Sequence, residues 1–182
     1  MDVGDMGKPE HIPTSSRSGV KEKSLLLRLL DGSQAMRNLR HAAILATRPM
    51  TLGVRVAAFD QAGRLFLVRH TYMSGWYLPG GGVDPGETVA EGGQRELRGE
   101  GNLDALEPLR LVSVHFNRRA LSRDHVLFMH CPLVRQMTPK VPDREIAESG
   151  FFAPDALPAD MTQGTRRRIE ELLNGAEPHP DW

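Results

Sequence analysis

From residue 51 onward, apolar and polar positions alternate in short bursts separated by turn signals, with one helical stretch between them. Val54, Val56 and Ala58 alternate with Arg55 and Ala57, Asp60-Gln61-Ala62-Gly63 supplies turn chemistry, and Arg64 to His70 alternates again. Two period-two runs joined by a Gly-containing turn predict a β-hairpin. Trp76-Tyr77-Leu78 predicts a short strand leading through Pro79 and Gly80 into a glycine-rich segment. Thr88 followed three residues later by Glu91 is a capping box, so a helix is expected to start there. Glu91 and Arg95 then form an i,i+4 pair on its surface. Leu109 to Phe116, His125 to Leu133 and Ser149 to Ala153 read as strands, and Thr165 to Leu173 as a closing helix. Strands before, around and after a central helix, with a further helix at the end, predict an α/β domain: a mixed sheet sandwiched by helices.

The chain ahead of this pattern divides in two. Residues 1–20 are polar and aperiodic and are expected to form a disordered tail. Residues 21–50 are different: Leu25, Leu26, Leu29, Leu30, Met36 and Leu39 recur at helical spacing, with a break at Asp31-Gly32-Ser33. They predict an N-terminal helical extension, packed on the core or serving as the interface of a homodimer. Its basic residues (Lys21, Lys23, Arg28, Arg37, Arg40) raise a membrane-surface helix as the alternative. The regular domain is expected over residues 51–174, with 175–182 as a tail.

Composition narrows the function classes. Lys plus Arg and Asp plus Glu are both 23, so formal net charge is zero. No field for a large nucleic acid is implied, although local arginines can still hold a short nucleotide. The single cysteine, Cys131, excludes an internal disulfide framework and fits a reducing cytoplasm; its setting in DHVLFMHCPL is that of a buried strand residue. The sequence contains no apolar run of membrane-spanning length.

The candidate chemistry sits at the start of the central helix. Glu96 and Glu100, four residues apart, lie on one helical face. Two hard oxygen ligands beside a glycine-rich loop suit a magnesium ion that holds a phosphate. The segment Gly81 to Leu103, GGVDPGETVAEGGQRELRGEGNL, resembles the Nudix box, G-x5-E-x7-R-E-U-x-E-E-x-G-U with U a bulky aliphatic residue. Gly81, Glu87, Arg95, Glu96, Leu97, Glu100 and Leu103 fall in register. Asn102 stands where the family has glycine, a site expected to need a left-handed backbone that asparagine tolerates. Gly99 stands where the family has the first glutamate of the Glu-Glu pair, which removes one carboxylate and places a glycine inside the helix.

The resemblance implies the Nudix α/β/α sandwich and a Mg²⁺-dependent hydrolase, with Mn²⁺ as an alternative ion. It implies that the Gly80 carbonyl joins Glu96 and Glu100 as a metal ligand, that Glu87 and Arg95 brace the loop against the helix, and that Glu96 or a downstream carboxylate deprotonates the attacking water. Glu145 and Glu148, in DREIAESGFF, are the candidates for that further acid. For the substrate the residues leave several openings. Arg55 and Arg69 lie on strands before the box, and Arg118, Arg119 and Arg123 in an arginine-rich loop can clamp phosphates bidentately. His70, His115 and His125 sit at strand ends, read as packed rather than catalytic, and Trp76 and Tyr77 suit either the core or base stacking.

The leading expectation is hydrolysis of a phosphoanhydride in a nucleoside diphosphate linked to another group, a small-molecule nucleotide substrate. The alternative is a catalytically weakened module that binds a nucleotide as regulator or scaffold, motivated by Gly99. An RNA 5′-pyrophosphohydrolase is disfavoured by the absence of a net basic charge.

Overall fold

The computed structural model describes residues 34, 36–43, 50–118 and 123–182. The chain divides into two units, residues 1–49 and 50–182. In the first, residues 36–43 are helical, with Met36 and Leu39 exposed. The expected tail at 1–20, the apolar Leu25–Leu30 stretch and Arg119 lie outside the described residues. Among the described residues, no helix is long and apolar enough to cross a membrane.

The second unit is built from β1 (Thr51–Ala58), β2 (Leu65–His70), α1 (Val89–Gly101), β3 (Leu103–Ala105), β4 (Arg110–Phe116), β5 (Asp124–Cys131), β6 (Val134–Gln136), β7 (Ile146–Phe152) and α2 (Gln163–Asn174). β5 is central to a mixed sheet, parallel to β1 on one side and antiparallel to β4 on the other. β2 pairs antiparallel with β7, and the short β3 with β6.

Alternation by itself predicts burial on one face, but β2 and the second half of β1 are buried on both. Val54, Val56, Ala58, Phe66 and Val68 join Leu97, Met129 and Ile146 in one core. The intervening Ala57, Leu65 and Leu67 join Trp76, Leu78, Phe128 and Ile169 of α2 in a second. One helix is therefore seated on each side of the strands, an α/β/α arrangement. Gly93 lets α1 approach closely: a Cβ there would lie 2.6 Å from Leu109 Cδ2 and 3.2 Å from Val56 Cγ2.

The β1–β2 hairpin expected from the alternation does not form beyond its turn. The chain does reverse at Asp60–Gly63, with Asp60 N–H donating to Arg64 O at 3.0 Å and an antiparallel bridge between Phe59 and Leu65. Past that bridge an irregular strand, residues 76–83, inserts between the two. Val68 and Tyr77 exchange backbone bonds at 3.0 and 2.9 Å. On the other edge, Val54 N–H donates to Gly81 O at 2.8 Å and Val56 N–H to Pro79 O at 2.9 Å. The hydrogen bonds of a hairpin are thus given to the segment that leads into the glycine-rich loop. A second difference is that the strand expected at Ser149 begins earlier, at Ile146, and contains a bulge: Arg69 faces Glu148 but His70 faces Ile146.

Candidate functional site

α1 begins as the capping box requires. Thr88 accepts from Glu91 N–H, and the Glu91 carboxylate accepts from Thr88 N–H at 2.7 Å. The helix ends at Asn102 with φ 52° and ψ 37°, the left-handed cap that asparagine tolerates in place of glycine. Between these ends, Glu87, Arg95 and Glu96 form one charged assembly. Arg95 donates to both Glu87 oxygens at 2.6 and 3.2 Å, to Glu96 Oε1 at 2.5 Å and to the Gly82 carbonyl at 2.8 Å. The glycine-rich loop is thereby tied to the helix. Hydrogen bonds from Arg95 hold the Glu87 carboxyl below its ordinary range, and Glu87 in return, with Glu96, raises the guanidinium.

Glu100, one helical turn beyond Glu96 on the same face, is 3 % exposed. Its Oε2 accepts the Gly80 N–H at 2.8 Å. Gly80 has φ 148°, and a Cβ on it would run into the Val54 carbonyl, so only glycine brings this peptide between β1 and the helix. At Gly81 a Cβ would lie 2.5 Å from Glu96 Oε1, so the second carboxylate also rests against bare backbone. Burial pushes the Glu100 carboxyl up to about 7; the Gly80 N–H and Arg55 pull it down, and Glu96 and Glu145 push it up.

His70, at the end of β2, faces Glu100: its Nε2 is 3.7 Å from Glu100 Oε1. The ring is 4 % exposed, and neither nitrogen has a hydrogen-bond partner. It packs edge-on to Tyr77 and beside Tyr72, with centroids at 5.5 and 5.3 Å. Burial lowers its pKa. Glu145 completes the group, since one donor atom from each of His70, Glu100 and Glu145 lies within 4.8 Å of the others. Its backbone is fixed by the Asp143 carboxylate, which accepts from Glu145 N–H at 2.9 Å and Ile146 N–H at 2.8 Å, and by Thr71 N–H, which donates to Glu145 O at 2.9 Å.

A cleft of about 640 Å³ opens on the other side of the loop, lined by Thr51 to Arg55, Gly81, Gly82, Asn117, Asp124, the first turn of α2 and Trp182. Arg55 stands between cleft and carboxylates, donating to Leu78 O at 2.8 Å and lying over the Tyr77 ring at 5.7 Å. Asp124 is held by Thr51 Oγ1 at 2.7 Å and Asn117 Nδ2 at 2.9 Å. Residues 175–182 run back along β4, with Phe116 N–H donating to Pro180 O at 2.8 Å and Trp182 N–H to Phe116 O at 3.0 Å. Trp182 is seated on Gly164, where a Cβ would lie 2.7 Å from its Nε1. Beneath it Arg168, fully buried, pairs with Glu171 at 2.6 Å and contacts the His115 ring.

The structure therefore gathers Gly80, Glu96, Glu100, Glu145 and Arg55 around one loop, with Glu87 and Arg95 bracing it. It sets the remaining candidates apart. Arg69 bonds Asp160 at 2.9 Å and covers Trp76 at 4.9 Å, and its cross-strand neighbour Glu148 is 3.8 Å away. Arg118 pairs with Asp181 at 2.8 Å, and Arg123 is exposed beside the end of β1, where its carbonyl accepts from Thr51 N–H at 3.2 Å. Sequence reasoning misses His70, Asn117, Asp124 and Trp182 as site residues. For His70, which reads as a packed histidine, its place at a strand end shortly before the loop is the signal that exists. For Trp182 no local signal exists, because its neighbours are all distant in the chain.

The chain matches the family model of the NUDIX domain over residues 49–172. It is 28 % identical over 127 residues to a Bacillus subtilis (strain 168) protein named, provisionally, an 8-oxo-dGTP diphosphatase, covering 70 % of this chain and 83 % of that one. It is 34 % identical over 124 residues to the 8-oxo-dGDP phosphatase of Homo sapiens, covering 68 % of this chain but 38 % of the human protein. Among solved structures, the MutT NUDIX hydrolase from Burkholderia pseudomallei superposes with a TM-score of 0.57 at 26 % identity, covering 67 % of this chain and 97 % of that one.

Proposed function

Because this chain belongs to the NUDIX family, we propose that it is a divalent-metal-dependent hydrolase cleaving a phosphoanhydride bond of a nucleoside diphosphate or triphosphate bound in the cleft beside β1. The observation that carries the reading is the Glu100 carboxylate, buried against the Gly80 peptide with Glu96 one helical turn before it. A carboxylate desolvated to this degree has an ionised form that calls for a cation. The donors that the glycine-rich loop and helix place beside it are oxygens, which fit Mg²⁺ or Mn²⁺. Glu96, Glu100 and the Gly80 carbonyl would hold the ion. When bound, it neutralises phosphate oxygens and acidifies a water.

The chain's own residues supply the rest. Arg95, fastened by Glu87 and Glu96, fixes the loop so that the carboxylates and the Gly80–Gly82 backbone keep one geometry. Arg55, poised between cleft and carboxylates, meets the phosphate chain and offsets its charge. Glu145 or Glu96 accepts the proton of the attacking water. The apolar walls and Trp182 receive the base, and Asn117 and Asp124 present polar groups to its edge. The names of the relatives point to oxidised guanine nucleotides as the first substrates to test.

The test measures phosphate and pyrophosphate release from 8-oxo-dGTP, 8-oxo-dGDP, their unoxidised counterparts, NDP-sugars and ADP-ribose, with Mg²⁺ and with Mn²⁺. Metal-dependent turnover of one class, lost in Glu96→Gln, is expected. A second reading, a weakened module that binds without cleaving, is favoured by Gly99, which leaves the third carboxylate position of the box bare. Saturable nucleotide binding with no turnover across the panel would replace the first reading by the second.

A further inference from the structure

We propose that His70 is a nitrogen ligand of the metal site, completing with Glu100 and Glu145 a donor set that favours Mn²⁺ and the later first-row divalent ions over Mg²⁺. The inference rests on the metal-dependent reading above and extends it to a residue outside the box.

Three independent features meet at this ring. The first is its solvation: a histidine with both nitrogens buried and unpartnered leaves at least one polar atom without compensation, a deficit that native structures seldom retain without a ligand or water. The second is direction. Nε2 faces Glu100 Oε1 at 3.7 Å, too long for a hydrogen bond but within the range of two ligands on one ion. With metal–ligand bonds of about 2.1 Å, adjacent octahedral ligands lie roughly 3 Å apart and opposite ones roughly 4.2 Å apart. The three donors, within 4.8 Å of one another, therefore need only a slight contraction, which the exposed side chain of Glu145 can supply. The third is the sequence: Gly99 removes a carboxylate from the box, and the imidazole offers a donor from the opposite wall.

The bulge in β7 is what makes the set. Between Arg69 and His70 the register shifts by one residue, so Arg69 pairs with Glu148 while His70 pairs with Ile146. The bulge brings the segment carrying Glu145 to the end of β2 where the ring points inward. Replacing an oxygen donor by an imidazole changes selectivity in a known direction, because Mg²⁺ accepts oxygen almost exclusively, whereas the first-row ions accept an imidazole nitrogen with an affinity that rises from Mn²⁺ toward the later metals.

The decisive experiment uses the full chain without nucleotide, prepared with ¹⁵N-histidine and loaded with Mn²⁺, and records electron–nuclear double resonance. A directly coordinated ¹⁵N coupling is expected, and it should vanish in His70→Gln. In parallel, Mn²⁺ is titrated calorimetrically and Mg²⁺ by competition. His70→Gln should weaken Mn²⁺ binding by roughly tenfold or more, the scale seen when even outer-shell partners of ligands are lost. Mg²⁺ affinity should stay within about twofold, because oxygen ligands carry that ion. Absence of a ¹⁵N coupling in protein that binds Mn²⁺ overturns the proposal, as does no Mn²⁺ binding by the folded wild-type chain. Equal loss of both ions in His70→Gln also overturns it, since that is the result of a packing role. If His70→Gln does not fold, the coupling in the wild-type chain decides alone. Glu100→Gln separates the two readings. It should lose both ions, and if it keeps them the carboxylate site fails while the histidine coupling is still judged by itself.

Discussion

Glu100→Gln exposes a cost that this site imposes on the metal-free protein. The Glu100 carboxyl is pushed from 4.5 up to about 7 by burial, so between these values the folded chain binds a proton that the unfolded chain has released. Stability then falls as pH rises through that window, because the native state holds more protons than the unfolded state. Each tenfold difference in proton affinity between the two states is worth about 1.4 kcal/mol, so the ionised side chain destabilises the fold by about 3 kcal/mol once pH exceeds 7. Glutamine has nearly the same shape, its carbonyl can still accept the Gly80 N–H, and its amide can donate to the unpartnered His70 Nε2. In EDTA at pH 8, urea unfolding followed by tryptophan fluorescence should show Glu100→Gln more stable than wild type by about 2–3 kcal/mol, with an unchanged slope. At pH 5 the advantage should shrink to about 1 kcal/mol or less. Excess Mn²⁺ at about a hundred times its Kd should add roughly 2.7 kcal/mol to the wild type and nothing to the variant. A stability difference that does not change with pH, or a variant less stable than wild type at pH 8 in EDTA, would refute the buried-carboxylate reasoning.

Three further outcomes follow from the geometry. Gly99→Glu enters open space on an exposed helical face; it should stabilise α1 by about 1 kcal/mol and tighten Mn²⁺ binding measured by calorimetry, whereas a loss of both would show that the chain has adapted around the missing carboxylate. Gly80→Ala drives a methyl group into the Val54 carbonyl at a backbone angle alanine avoids; it should cost about 3 kcal/mol or more in thermal or urea unfolding, and a near-neutral result would contradict the placement of this loop. Trp182→Ala removes a wall of the cleft without touching the carboxylates; KM for the nucleotide should rise about tenfold, the worth of one stacked base, with kcat little changed, and an equal fall in kcat would place Trp182 elsewhere in the mechanism.

The helix and its charges are legible in the sequence because they are local. A capping box and an i,i+4 carboxylate pair involve residues within one or two turns, so spacing fixes them, whereas the bracing of Arg95 by Glu87 is legible only through the resemblance of the box to its family. The left-handed backbone at Asn102 is legible for the same reason. The β1–β2 pairing is not, because its turn signal is genuine and only the insertion of residues 76–83 redirects the hydrogen bonds. Arg55 and Arg69 illustrate the same limit on single residues. Both sit on strands of similar pattern, yet one opens to the cleft and the other is spent on Asp160 and Trp76. Glu145 and Glu148 are indistinguishable in DREIAESGFF; a one-residue bulge sends the first toward Glu100 and leaves the second beside Arg69. Trp182 reaches the cleft through packing against residues far away in the chain, which no periodicity records.

The parallel pairing of β1 with β5 also fixes when the site can come into being. Thr51 meets Asp124 across a separation of 73 residues, and the whole glycine-rich loop and α1 lie inside the ring of chain that this pairing closes. Closing it costs about 2 kcal/mol more in chain entropy than closing a ten-residue turn, while β4 and β5 can join through a short local connection. Assembly is thus expected to run from the β4–β5 pair outward, with β1 arriving late and only then receiving the loop through Val54 and Val56. The motif is therefore not a detachable cassette. A peptide carrying residues 81–103 holds every charged group of the box and none of its geometry, and damage to β5, which supplies none of the carboxylates beside the Gly80 loop, would disable the site as surely as damage to the box.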